Sequence, residues 1–283
     1  MENRKNFNVL SGFVLKILAI VFMTIDHIGF FLGEIEKTQE IARIFRLFGR
    51  FSFPLIIFLL VEGIIHSKHI GKYFIRLGIL TSVFMIGQIV FYFVDKTNAI
   101  TMYSPAIDLI LTATIIYLLK RKDKWSFLAI IPFAWTVLCY VVRYFEFANH
   151  KPIEWIPFFL RPDYMIFGPL LGIVFYYSHN LTRIFFNSKE ETRVFIGTTY
   201  EQVTYNVISA ISLVILTILL MIFDFYTAQV LSRIEWQMYA LFAFIPILFY
   251  SGKRGYNAKW FQYGCYIYFP AHLILLFLIF ALI

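Results

Sequence analysis

Apolar residues in this chain fall in long runs separated by short polar stretches. The runs cover approximately 10–33, 50–66, 73–94, 103–120, 125–143, 164–179, 205–223, 236–250 and 260–282. About 20 apolar residues in a helix cross the hydrocarbon layer of a bilayer, so each run is a candidate span, the shorter ones completed by their flanks or by local thinning. The pattern predicts an all-α fold: a polytopic transmembrane helix bundle of about nine spans, forming a single domain over 1–283. Residues 38–49 are different. They place Ile41, Ile44, Phe45 and Phe48 on one helical face and Arg43 and Arg46 on another, as in an amphipathic helix lying in the outer interface. The stretch 144–163, with Pro152, Pro157 and Pro162, reads as an outer loop. Residues 184–204 read as the longest cytoplasmic loop.

Composition agrees. The chain is 60% hydrophobic and 15% charged, where a soluble domain carries roughly 45–50% and about 25%. With the N-terminus placed in the cytoplasm, Lys and Arg number 15 in the inner segments and 9 in the outer ones. The positive-inside rule then favours a cytoplasmic N-terminus and an outer C-terminus. The net charge of +8 fits cytoplasmic loops against anionic lipid, or a phosphorylated ligand, better than nucleic acid. The polar start with Arg4 and Lys5 reads as the flank of an uncleaved first span. Cys139 and Cys265 lie in apolar runs and give neither a disulfide framework nor metal-ligand spacing.

Charged or titratable groups inside apolar runs are costly, and they mark sites or pathways. The first run holds Lys16, Asp26 and His27. Lys16 and His27 are eleven residues apart, which brings them within about 20° on one helical face with a rise of about 16.5 Å. Glu62 and His66 share a face of the second run at i and i+4. Asp108 and Asp163 stand near the starts of the fourth and sixth runs, where either has the charge to balance Arg46 or Arg50. His272 sits in YIYFPAHLILLFLIF, just after Pro270, where the missing N–H frees a backbone carbonyl. Each also has a plainer reading: Lys16 snorkelling, Glu62–His66 as an interfacial ion pair, Asp163 as a helix N-cap, His27 and His272 as satisfied polar residues. Lys253, Arg254 and Lys259 precede the last run. SGKRG lacks the remaining positions of a Walker A loop, so the basic cluster reads either as positive-inside charge or as a grip on phosphates. No H-E-x-x-H, G-x-S-x-G or dinucleotide-binding glycine loop is present, and no spacing argues for a metal.

The stretches LKILAIVFMTIDHIGFFL and RLFGRFSFPLIIFLLVEGIIHSKHIGKYFIRL resemble the N-terminal half of the conjugal-transfer TraX family. DYMIFGPLLGIVFYY and the ending from QMYALF to FPAHLILL resemble its C-terminal half. The most specific pieces are T-x-D-H-I-G, G-R-x-x-F-P, L-V-E-G and F-P-x-H-L. The resemblance implies acetylation chemistry in the membrane, as its name-giving members are implicated in N-terminal acetylation of pilin subunits. A more distant similarity to the acyltransferase-3 group lies in an Arg-x10-His pattern on the first span, which appears here as Lys16-x10-His27. The substitution keeps the charge and loses the guanidinium fork.

What the resemblance implies is an acetyltransferase of the bacterial cytoplasmic membrane, moving acetyl from cytoplasmic acetyl-CoA to a glycan hydroxyl or a peptide amine of the envelope. Lys16, Arg76, Lys253 and Arg254 are expected to bind the CoA phosphates. Pantetheine would run between the first and last spans. His27, oriented by Asp26 or a neighbour, is the expected base, and His272 an oxyanion donor or second base. Arg50 would position Asp26 or Asp108, with Glu62, His66, Asp108 and Asp163 as supporting groups. Cys265, two turns before His272, is the thiol to control for. The alternative is a transporter or channel whose intramembrane charges line a pathway.

Overall fold

The structure is a computed structural model, and it describes residues 9–94, 103–153, 155–226 and 238–282. Arg4, Lys5, Lys96 and Arg233 of the charge count, and Glu154 of the 144–163 stretch, lie outside the described residues.

The described residues are helical throughout, without a β-strand. The α-helices are α1 (Gly12–Leu32), α2 (Gln39–Gly49), α3 (Ser52–His66), α4 (Ile70–Val94), α5 (Pro105–Arg121), α6 (Ile130–Asn149), α7 (Phe167–Ser188), α8 (Glu190–Arg193), α9 (Thr199–Tyr226), α10 (Phe244–Leu248) and α11 (Lys259–Ala281). Short 3-10 turns at Glu36–Thr38, Lys124–Ala129, Phe158–Leu160 and Met238–Ala243 join several of them. Among the described residues, each of the nine apolar runs overlaps helix. Among the described residues, six segments are long and apolar enough to cross a membrane: Gly12–Leu32, Glu36–His66, Ile70–Val94, Lys124–Asn149, Thr199–Phe223 and Lys259–Phe280. Met238–Leu248 is a shorter apolar helix. The 184–204 stretch is mostly helix, because α7 continues to Ser188 and α9 begins at Thr199. Phe186, buried in the last turns of α7, gives that extension an apolar anchor.

The chain forms two compact units: Met1–Leu59 with Val174–Ile283, and Leu60–Ile173. In the first unit, Phe58 is fully buried and meets Phe175 edge-on at 5.2 Å, Tyr250 edge-on at 5.3 Å and Tyr205 in a stack at 5.7 Å. Edge-on and offset aromatic pairs of this kind add about 0.5–1.5 kcal/mol each beyond burial. The N-terminus of α1 is closed by the SGKRG loop. Gly12 N–H donates to Lys253 O at 2.8 Å and Phe13 N–H to Arg254 O at 2.9 Å. Gly252 and Gly255, both at φ +69°, make the turn, a backbone conformation that costs glycine nothing. Asn206 of α9 holds the loop's other side by donating to Tyr250 O at 2.6 Å.

Helix α2 lies against α1 through small residues. Ala42 and Gly49 are buried, while Ile41, Ile44 and Phe48 face outward. The two-faced pattern of 38–49 is therefore present, but Arg46 turns towards α1 rather than away from the protein. A Cβ at Gly49 would be driven into the Asp26 side chain. Gly49→Ala is expected to lower the melting temperature in detergent, overpacking of this kind costing about 1–3 kcal/mol. Gly78→Ala on α4, where a Cβ meets nothing within 4 Å, is the control. It should be neutral or stabilising by up to about 1 kcal/mol.

In the second unit, Lys120 near the end of α5 donates to Ile64 O and Ile65 O, both at 2.8 Å. It thereby satisfies carbonyls that the last turn of α3 leaves open, with a cation at the negative end of the helix. Arg161 is 2% exposed. Its Nη1 donates to Glu146 Oε1 at 2.8 Å, and its Nη2 to Ile156 O at 2.9 Å and to Ile153 O. One buried guanidinium thus pins the proline-rich segment after α6.

Candidate functional site

Helices α1 and α11 run side by side and parallel in the first unit. Phe13 meets Phe261 at one end, with ring centroids 4.7 Å apart, and Phe31 stacks on Phe280 at the other, 5.2 Å apart. Between these pairs lie two polar contacts. Thr24 Oγ1 donates to Ile20 O at 2.8 Å and lies 2.6 Å from Tyr268 Oη. Since the threonine proton is already committed, Tyr268 O–H donates to Thr24. One turn further on, His27 Nδ1 lies 2.8 Å from His272 Nε2. His272 Nδ1 lies 2.8 Å from Tyr268 O, and its ring stacks on Tyr268 with centroids 4.9 Å apart and planes 3° from parallel.

These distances fix the tautomers of the neutral rings. A backbone carbonyl only accepts, so His272 Nδ1 carries the hydrogen and His272 Nε2 the lone pair. His27 Nδ1–H therefore donates to His272 Nε2, and His27 Nε2 is left with the lone pair of its ring. The result is a directed chain, from His27 through His272 to the Tyr268 carbonyl, with the lone pair of His27 Nε2 at its other end. His272 is 4% exposed and His27 half-buried.

Asp26 has a different role from the expected one. Its neighbour in sequence, His27, turns about 100° away on the helix. The Asp26 carboxylate instead takes Arg46 Nη1 on Oδ2 at 2.6 Å and faces Arg50 Nη2 from Oδ1 at 3.2 Å. It fastens α2 and the α2–α3 corner to α1, and His272 takes over the orientation of His27. His272 in turn has no N–H to spare for an oxyanion, because its one hydrogen goes to Tyr268 O. Arg50, 5% exposed, does position Asp26, and Arg46 is its unforeseen companion.

The remaining expected residues belong to both units. Lys16 lies on α1 about three turns before His27 and on the same face. Lys253 and Arg254 are exposed in the loop that closes the start of α1. Their carbonyls occupy the Gly12 and Phe13 donors, so any phosphate held there would be held by the side chains. Arg76 stands on α4 in the second unit. There, His66 Nδ1–H donates to Glu62 O at 3.0 Å, with Glu62 Oε2 3.8 Å away. Asp163 does not cap α7, which begins at Phe167. Asp163 N–H and Tyr164 N–H instead donate to Asp108 Oδ2 at 2.6 and 3.0 Å. Among the described residues there is no cluster of three or more His, Cys, Asp or Glu suited to a metal ion. Tyr268 and Thr24 were missed by sequence reasoning, although Tyr268 stands at i−4 of His272 and Thr24 at i−3 of His27, the spacings at which helical side chains meet.

Three of the short motifs thus converge on one place. Thr24, Asp26, His27 and Gly29 come from T-x-D-H-I-G, Gly49 and Arg50 from G-R-x-x-F-P, and His272 from F-P-x-H-L. A family model described as TraX protein matches residues 11–280. A curated relative from Dichelobacter nodosus, "Probable fimbrial assembly protein FimC, serogroup H1", is 36% identical over 92 residues, 31% of this chain and 36% of that protein. The match thus spans about a third of that relative's length. No solved structure gives a significant match. With a family match over nearly its whole length and six apolar helices of spanning length, the chain belongs to the TraX family and is a multi-pass protein of the bacterial inner membrane.

Proposed function

We propose that this protein is a membrane acetyltransferase in which His27 is the general base. The observation that carries the reading is the His27 Nδ1–His272 Nε2 contact at 2.8 Å, backed by His272 Nδ1 on Tyr268 O. A base held in one tautomer, with its lone pair at the end of a hydrogen-bonded chain, is what proton abstraction from an acceptor needs. The fimbrial relative favours an envelope acceptor, either the amine of a pilin-like peptide or a glycan hydroxyl. Acetyl-CoA is the donor in this reading, with Lys16, Lys253 and Arg254 near the start of α1 meeting its phosphates.

In the reaction, the acceptor nitrogen or oxygen attacks the thioester carbonyl and gives its proton to His27 Nε2. The new C–N or C–O bond forms, the C–S bond breaks, and the thiolate leaves with the proton that His27 returns. Protonated His27 still donates from Nδ1 to His272, which stabilises the imidazolium without taking its proton. Direct transfer needs no acyl-enzyme. Cys265 lies two turns from His272, and a Cys265→Ala variant is expected to keep its activity.

Calorimetry of the purified protein with acetyl-CoA tests the donor. Micromolar binding that weakens in Lys16→Ala and Arg254→Ala is expected. A folded sample that binds no acetyl-CoA would overturn the reading and favour a transporter.

A further inference from the structure

Two polar contacts cross between α1 and α11. Thr24 meets Tyr268, and His27 meets His272 three residues further along α1 and four further along α11. Three or four residues make one helical turn, so the contacts lie a turn apart on both helices. One contact alone is a pivot about which either helix can roll. Two, a turn apart, fix the roll of both.

The histidine contact depends on the other one through the Tyr268 ring. His272 touches Tyr268 twice. Its Nδ1–H donates to the Tyr268 carbonyl at 2.8 Å, which decides which ring nitrogen carries the hydrogen. Its ring lies on the phenol ring with planes 3° from parallel, which decides where Nε2 points. The torsion that sets the phenol plane has a broad well, so stacking alone leaves that ring room to tilt. The hydroxyl removes the room. Thr24 spends its own proton on Ile20 O at 2.8 Å. It therefore offers Tyr268 an acceptor only, and the 2.6 Å contact runs in one direction. Control passes from Thr24 to the Tyr268 ring, from there to the plane of His272, and so to the tautomer of His27.

We propose that Tyr268 and Thr24 are positioning residues for the His27 base. Their bond tethers the ring on which His272 is aligned, and thereby keeps the His27 hydrogen on Nδ1 and its lone pair on Nε2. The assignment rests on His27 being the base, and in it neither residue touches the acceptor or acetyl-CoA. Phenylalanine at 268 is the informative change, because it keeps the carbonyl and the stacked ring and loses only the tether.

Two readouts test the assignment. The first is nitrogen-15 NMR of protein labelled in its histidine rings, in detergent above neutral pH, with His27→Ala and His272→Ala spectra to assign the two. In the parent, each of the two rings should show a protonated Nδ1 and an unprotonated Nε2. Tyr268→Phe and Thr24→Val should each draw the two His27 signals together as its tautomers exchange. Thr24→Ser keeps an acceptor and should keep the parent pattern. The second readout is the initial rate of acetyl transfer. Tyr268→Phe and Thr24→Val should each lower kcat by about 3–10-fold, the net worth of one hydrogen bond, with KM for acetyl-CoA unchanged. The double variant should fall no further than either single one, since both remove the same bond. A role in stability alone would lower Tm and leave the ring signals and kcat as they are. Parent ring signals in both Tyr268→Phe and Thr24→Val would overturn the proposal, as would parent kcat in both. Ring signals that respond in a protein that transfers no acetyl group would support the tether and overturn the acetyltransferase reading by itself.

Discussion

Replacing His27 by alanine is expected to lower the rate of the proposed acetyl transfer by about 10²–10⁴-fold, the usual contribution of one positioned base. Acetyl-CoA binding should be unchanged, because His27 is not among the residues assigned to the donor phosphates. His272→Ala removes the acceptor of His27 Nδ1–H. The His27 ring is then free to rotate or exchange tautomers, so its loss should also be large. His272→Gln should recover part of the activity, because its amide oxygen can accept the same hydrogen. Initial rates with radiolabelled acetyl-CoA, with donor binding measured on the same samples, separate these cases. Undiminished turnover in both His27→Ala and His272→Ala would remove the pair from the mechanism.

The largest effect on stability is expected at Arg161. Truncation to alanine leaves Glu146 as an uncompensated charge, its side chain only 14% exposed, and strips the carbonyls of Ile153 and Ile156 of their donor. Breaking a buried pair from one side costs about 3–5 kcal/mol. Glu146 Oε1 still receives Ile153 N–H at 2.7 Å, which softens the loss without neutralising the charge. The double change Arg161→Met with Glu146→Gln leaves no buried charge and should regain part of the lost Tm. Thermal unfolding of the three proteins in one detergent decides it. A Tm within a degree of the parent for Arg161→Ala would mean that water reaches Glu146 and that the clamp is not buried in practice.

The helices were legible in the sequence because hydropathy is local. A run such as ILAIVFMTIDHIGFFL declares its own helix, and each of the nine apolar runs overlaps helix among the described residues. What the runs could not convey was their ends. The extension of α7 through Asn187 and Ser188 rests on Phe186 finding a buried place, which is a tertiary matter. The site divides in the same way. His27 and His272 each stood out as polar groups in apolar surroundings, but the bond between them joins residues 245 positions apart, and no spacing rule reaches that far. Between Asp26 and another neighbour as the group that orients His27, the sequence left the choice open, because residues adjacent on a helix point apart and the partner that meets His27 lies on another helix. Arg161 was overlooked because a proline-rich segment looks like exposed loop, and burial of its single guanidinium cannot be read from composition.

The clasp between the SGKRG loop and the start of α1 has a consequence for how the protein is made. The amide hydrogens of Gly12 and Phe13 leave the ribosome early, while their acceptors on Lys253 and Arg254 come some 240 residues later. At roughly 5–20 residues per second that is an interval of about 12–48 s. During it, the first helix must wait with its leading end served by water or lipid headgroups. Chain order therefore leaves the leading end of the first helix open until the SGKRG loop has been made. A ribosome stalled before residue 253 should leave a first helix that is inserted but still open to exchange at its leading amides.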